Sequence, residues 1–105
     1  MEEIDVFELK KYIENKKKLI LLDVRNYEEH DYCNIEGSML IPLPELEEKY
    51  TSLDKNSEIV VYCHTGNRSR KAAEFLQNKN FKNVKNLKGG IDAWSKNIDQ
   101  NVLIY

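Results

Sequence analysis

Residues 19–24, Leu-Ile-Leu-Leu-Asp-Val, are apolar at almost every position, and residues 58–62 end in Ile-Val-Val-Tyr. Continuous apolar runs of this length predict strands covered on both faces, as in a parallel sheet. Residues 39–41 and 84–87 read as two shorter strands. Between them the pattern changes to helical spacing. Asp5 and Glu8 stand three apart, as in a capping box, ahead of Leu9, Tyr12 and Ile13. Residues 27–32 suit a short helix. Pro44 suits the first turn of a helix carrying Leu46 and Tyr50. Residues 54–57 are turn chemistry, and a helix over 69–79 places Ala72, Ala73 and Leu76 on one face. Gly89 and Gly90 interrupt the chain before a last helix over 91–94. Strands alternating with helices predict an α/β fold with a mainly parallel sheet, and active sites in such sheets lie at the carboxyl ends of the strands.

The segment Val60-Val61-Tyr62-Cys63-His64-Thr65-Gly66-Asn67-Arg68-Ser69 occupies such a position. A thiol ends a buried strand and faces the amide-rich start of a helix. Such a thiol ionises readily and sits in a pocket suited to an anion. Gly66 allows the backbone to turn with positive φ so that loop amides converge on the sulfur. The helix start contributes partial positive charge, and Arg68 and His64 add cationic or hydrogen-bonding groups. His64 adjoins Cys63 in sequence, and neighbours in a tight loop seldom face each other. His64 therefore reads as a residue touching substrate or solvent, not as a general base. A thiolate attacks sulfur without a base, whereas expelling an alkoxide needs an acid, so sulfur transfer fits these parts better than ester or amide hydrolysis. Tyrosine-phosphatase-type loops read C-x5-R. Here Arg68 gives C-x4-R, a smaller cradle that suits a terminal sulfur better than a phosphoryl group.

Composition narrows the remaining classes. A chain of 105 residues suffices for one small domain over 1–105, and no repeat or linker divides it. The net charge of −2 leaves no electrostatic footprint for nucleic acid, and Lys16-Lys17-Lys18 reads as a solvated helix end. No apolar run is long enough to span a bilayer, and the acidic start lacks a signal-peptide pattern, so cytoplasmic residence is the default expectation. Two cysteines do not make a disulfide scaffold. Cys33, Cys63, His30 and His64 lack the paired spacing of a zinc site, and no metal or other cofactor is expected. Cys33 reads either as a second, resolving thiol or as a neutral substitution. The chain is expected to be a monomer.

The whole pattern resembles the rhodanese family of sulfurtransferases. Leu22-Asp23-Val24-Arg25 is similar to the family's DVR signature, with Glu28 at the usual acidic position. Tyr62 to Ser69 resembles the six-residue active-site loop, and Ala72, Ala73 and Leu76 the helix behind it. Phe81, Val84 and Leu87-Lys88-Gly89-Gly90-Ile91-Asp92-Ala93-Trp94 resemble the closing LxGGxxxW pattern. The resemblance implies a central, mainly parallel five-stranded sheet with helices on both faces. It implies Cys63 as nucleophile, with His64, Thr65, Gly66, Asn67, Arg68 and Ser69 around the substrate. Asp23 and Arg25 read as braces behind them. It also implies a cycle in which Cys63 takes a sulfane sulfur from a small anionic donor such as thiosulfate. The persulfide then passes to cyanide, a cellular thiol or a sulfur-relay protein. Alternatives are a carrier that trades persulfide with one dedicated partner, and a small phosphatase or arsenate reductase. Two departures stand out. Cys33-Asn34-Ile35-Glu36-Gly37-Ser38 replaces the common Gly-His-Ile-Pro-Gly-Ala, leaving only His30 nearby, and Asn80 stands where glycine is common. The tail residues Leu103, Ile104 and Tyr105 receive no function from this reading.

Overall fold

In the computed structural model, which describes residues 1–105, five strands form one sheet. They are β1 (Glu2–Ile4), β2 (Ile20–Asp23), β3 (Met39–Leu40), β4 (Ile59–Tyr62) and β5 (Val84–Leu87). Their order is β1-β5-β4-β2-β3. Every pairing is parallel, so the sheet is wholly rather than mainly parallel. The helices are α1 (Val6–Glu14), α2 (Tyr27–Tyr32), α3 (Leu46–Lys49), α4 (Asn67–Asn78) and α5 (Gly90–Asn97).

The two-residue alternation of β4 builds two cores. Ile59, Val61 and Cys63 join Leu46 of α3 and Ala72, Ala73 and Leu76 of α4 on one face. Val60 and Tyr62 join Val6 and Leu9 of α1 and Ile91 and Trp94 of α5 on the other. All four β4 residues are buried, which is why their apolar run shows no polar alternation.

Several boundaries differ from the sequence expectation. The strand β1 carries two acidic residues and buries only Ile4, so it has no strand pattern; pairing with β5 makes it. The helix expected from Pro44 is broken into a 3₁₀ turn (Leu43–Glu45), α3 and a second 3₁₀ turn (Tyr50–Ser52). The helix α4 begins at Asn67, two residues before the expected Ser69, and α5 runs on to Asn97. Asn80 adopts φ +70°, and the amide of Phe81 returns to the Leu76 carbonyl at 3.1 Å. Asparagine thus fulfils the left-handed role that glycine commonly takes after a helix.

Parallel pairing aligns the carboxyl ends of β2 and β4, with Asp23 beside Tyr62. The Asp23–Arg25 and Cys63–Ser69 segments therefore leave the sheet at the same edge.

Candidate active site

Cys63 is the residue after β4, and its side chain shares the face of Val61 beneath α4. The residue is 1% exposed. Gly66, with φ +116°, is the N-cap of α4 and supplies no side-chain cap. The first amides of a helix have no partner within it. Here the sulfur takes the place of a capping side chain. The Gly66 amide donates to Cys63 Sγ at 3.1 Å, and the Ser69 amide donates at 3.4 Å. Burial pushes the thiol up. The Ser69 hydroxyl and the amides of Ser69, Gly66 and Arg68 more than offset it, so the thiol lies below its ordinary range.

The loop is fixed from behind by the start of α5. The Ile91 amide donates to the Cys63 carbonyl at 2.9 Å, and the Asp92 amide donates to the His64 carbonyl at 3.0 Å. With those carbonyls held by α5, the amides on the other side of the loop are free to face the sulfur. The backbone of Gly90 lies so close that a Cβ there would sit 2.4 Å from the His64 carbonyl oxygen. The glycine pair thus does more than interrupt the chain: it admits this contact.

Ser69 is shared between two partners. Its Oγ lies 3.3 Å from Cys63 Sγ, and its hydroxyl also donates to Asn86 Oδ1. A hydroxyl has one proton. With a neutral thiol, S–H donates to Ser69 and Ser69 donates onward to Asn86. When Cys63 ionises, the Ser69 proton turns to the sulfur and Asn86 Oδ1 loses its donor. Asn86 is held for this role by its amide, which donates to Glu3 Oε2 at 3.0 Å and to the Gly66 carbonyl at 3.2 Å. Nothing in the residue pattern of β5 marks Asn86, which is fully buried and follows the partly exposed Lys85.

The other loop residues take different positions. Thr65 and Asn67 are exposed at the rim. The His64 ring makes no hydrogen bond to the sulfur; it stacks on Tyr105 with centroids 4.0 Å apart and planes at 16°. The Arg68 guanidinium turns away to a bidentate pair with Glu29, at 2.7 and 2.9 Å. Arg68 is thereby held more firmly protonated, first by Glu29 and further by the Cys63 sulfur. Glu29 falls to about 2, chiefly through Arg68, against burial and with help from the Tyr105 hydroxyl. The acidic partner at the site is thus Glu29; Glu28 beside it is exposed. Sequence spacing alone could not separate the two, because either lies within reach of the loop along α2.

Asp23 and Arg25 form a fully buried ion pair, with Nε to Oδ1 at 2.9 Å and Nη2 to Oδ2 at 2.8 Å. Burial alone would weaken the charge of Arg25, but Asp23 and Tyr105 hold it protonated. Asp23 also accepts the Arg25 amide, and His30 Nδ1 lies 2.8 Å from Asp23 Oδ2. Arg25 Nη2 reaches the Cys33 carbonyl at 2.6 Å. Cys33 and Cys63 are both free thiols and belong to opposite cores of the sheet. Tyr105, which the sequence gives no function, also meets the site. Its hydroxyl accepts from Arg25 Nη1 at 2.9 Å and donates to Glu29 Oε2 at 2.7 Å. It lies 76 and 80 residues from these partners, and no local pattern announces it.

A half-open cavity of about 420 Å³ is bordered by Arg25, Tyr27, Pro42, Glu45 and Arg68, and Cys63 does not line it. The converging amides are at the sulfur, not in this space.

A cysteine that caps a helix at the carboxyl edge of a parallel sheet defines a class of α/β domains with a thiol in an amide cradle. The Rhodanese-like domain family model matches residues 5–97, and the chain belongs to that family. It is 37% identical over 94 residues to the Bacillus subtilis protein YtwF, named as a proposed sulfurtransferase, covering 90% of each chain. It is 37% identical over 93 residues to YrkF of the same organism, named as a proposed sulfur carrier protein, covering 89% of this chain and 50% of that one. The crystal structure of a rhodanese-related protein from Thermoplasma volcanium superposes with a TM-score of 0.87 at 32% identity, over 100% of both chains. The chain spans half of YrkF and only 22% to 26% of several further curated relatives. No helix is long and apolar enough to cross a membrane.

Proposed function

We propose that this chain is a sulfurtransferase or sulfur carrier that moves sulfane sulfur through a persulfide on Cys63. The observation that carries the reading is the sulfur itself, capping α4 on the Gly66 and Ser69 amides with its thiol held below the ordinary range. In the first step the Cys63 thiolate attacks the outer sulfur of thiosulfate. The S–S bond of the donor breaks, sulfite leaves with the electron pair, and Cys63 becomes a persulfide anion. The same amides that favour the thiolate favour that anion, since both are negative sulfur at a helix start. In the second step an acceptor thiolate or cyanide attacks the terminal sulfur, and the Cys63 thiolate leaves. No proton transfer is required in either displacement, which agrees with the lack of any base hydrogen-bonded to the sulfur. Asp23 and Arg25 brace the edge of the sheet, and Thr65 and Asn67 meet the incoming donor at the rim.

Arg68 argues against phosphoryl transfer. Its charge is already matched by Glu29 through both terminal nitrogens, so a phosphate would have to compete with that carboxylate for it. A dedicated carrier is the second reading. The likeness to YrkF and the burial of Cys63 favour it.

The test is the intact mass after brief exposure to thiosulfate, beside Cys63→Ala. A gain of about 32 Da on the parent chain alone is expected, the mass of one added sulfur. No gain from a reduced, alkylatable thiol refutes thiosulfate as donor. Loading from a protein persulfide instead, with discharge only to a protein thiol, establishes the carrier.

A further inference from the structure

Tyr105 is held on several sides by the site but has no part in the chemistry described above. Its ring stacks on His64, the residue next to the nucleophile. The Tyr32 ring packs against it in a T-shaped arrangement, with centroids 6.0 Å apart and planes at 77°. Its hydroxyl bridges Arg25 and the Glu29 oxygen that also accepts from Arg68 Nη2. The segment leading to it is anchored where the Ser95 hydroxyl donates to the Val102 carbonyl at 2.7 Å. Between that anchor and Tyr105 the chain has no regular structure, and Leu103 and Ile104 are 53% and 59% exposed. Residues 103–105 thus form a strap, fixed at α5 through Val102 and latched by Tyr105 against His64 of the Cys63 loop. The latch is 40% exposed and depends on stacking and two hydrogen bonds near water, contacts that open far more readily than a buried core.

We propose that Tyr105 is a size-selecting gate on the Cys63 loop. Latched, it admits small sulfur anions and small thiols; a bulky donor or a protein acceptor reaches the sulfur only after the ring leaves His64. The inference rests on Cys63 being the reactive thiol and assigns the specificity of the proposed sulfur transfer. The ring supplies the barrier and the hydroxyl the latch. A residue that merely braced Arg25 and Glu29 would alter stability without discriminating between reagents of one chemistry and different bulk.

The test compares alkylation of Cys63 by iodoacetamide and by a fluorescein-linked iodoacetamide, which share a reacting group and differ in size. Peptide masses read Cys63 separately from Cys33. In Tyr105→Ala the bulky reagent should react about tenfold faster, while the small one changes less than about threefold. Tyr105→Phe keeps the ring and loses the latch, so its preference for the small reagent should lie between the parent and Tyr105→Ala. Thermal melting verifies that each variant is folded. Equal acceleration of both reagents, or no change in either, overturns the gate. Because alkylation needs no sulfur donor, size selection without persulfide formation would uphold the gate and remove only the sulfur-transfer reading.

Discussion

Replacing Gly90 with alanine tests whether the α5 start holds the loop in its amide-inward form. Gly90 has φ +59°, where an L-residue pays roughly 1 kcal/mol. Its new Cβ would lie 2.4 Å from the His64 carbonyl oxygen, 2.5 Å from the Cys63 carbonyl oxygen and 2.7 Å from the His64 carbonyl carbon. These are backbone atoms, so no side chain can swing aside. To reach van der Waals contact the loop must retreat by about 1 Å, which stretches the hydrogen bonds from Ile91 and Asp92. Each is worth roughly 1 kcal/mol, and more if its carbonyl is left buried without a partner. The sum is about 3–4 kcal/mol, a large fraction of the roughly 5–15 kcal/mol that holds a domain folded. Gly37→Ala is the control. Gly37 has φ +88°, and nothing lies within 4 Å of its Cβ, so it incurs the backbone cost alone. Urea unfolding of both variants measures the difference. Gly90→Ala should be less stable than Gly37→Ala by at least about 2 kcal/mol at an unchanged denaturant slope. Its Cys63 alkylation profile should also move to higher pH, because the amides no longer converge. Equal stabilities for the two variants, or an unmoved profile, would refute the reasoning.

Two further outcomes follow from the same geometry. Ser69→Ala removes the hydroxyl next to the sulfur and keeps the Ser69 amide, so the pH midpoint of Cys63 alkylation should rise but stay below that of a variant whose loop is displaced. Iodoacetamide rates between pH 5 and 10 measure it, and an unchanged midpoint would mean that the amides alone hold the thiol down. Glu29→Gln tests the Arg68 pair. Because Glu29 is held at about 2 when folded, against 4.5 ordinarily, its contribution is fully present above pH 4.5 and lost as pH falls toward 2. Arg68 is 39% exposed, so screening reduces that contribution to about 1–2 kcal/mol. Urea melts of parent and variant should differ at pH 7, and the gap should narrow steadily from pH 4.5 down to about pH 2; a constant gap would contradict the assignment.

What could be read from the sequence and what could not divide along physical lines. The β4 strand, the loop and α4 are contiguous, and each carries a local signal: an apolar run, a lone glycine, then alanines on one face. The capping box at Asp5 and Glu8 is likewise local, and both of its hydrogen bonds are present. The residues without such signals act over distance. Asn86 meets Ser69 across the layer between β5 and α4, and Tyr105 meets Arg25 and Glu29 across most of the chain. Glu3 is on a strand that exists only because β5 pairs with it. The two-residue advance of the α4 start has another cause. At the Gly66 N-cap the sulfur of Cys63 takes over the capping bond, an exchange that propensity does not contain.

The charges around the sulfur lead to one further step. Asp23 and Arg25 cancel each other, and Glu29 and Arg68 cancel each other. Tyr105 links the two neutral pairs without adding a charge. The positive potential at Cys63 therefore comes mainly from oriented amides rather than from a net cation. Amide dipoles are fixed by the fold and act at short range, whereas a bare arginine would project a field into solvent and draw in larger anions. A site built this way stabilises charge on the atom bonded to it and does little to gather phosphate from a distance. That distinction suits the persulfide proposed for Cys63, and it agrees with an Arg68 whose charge is matched by Glu29 within the loop.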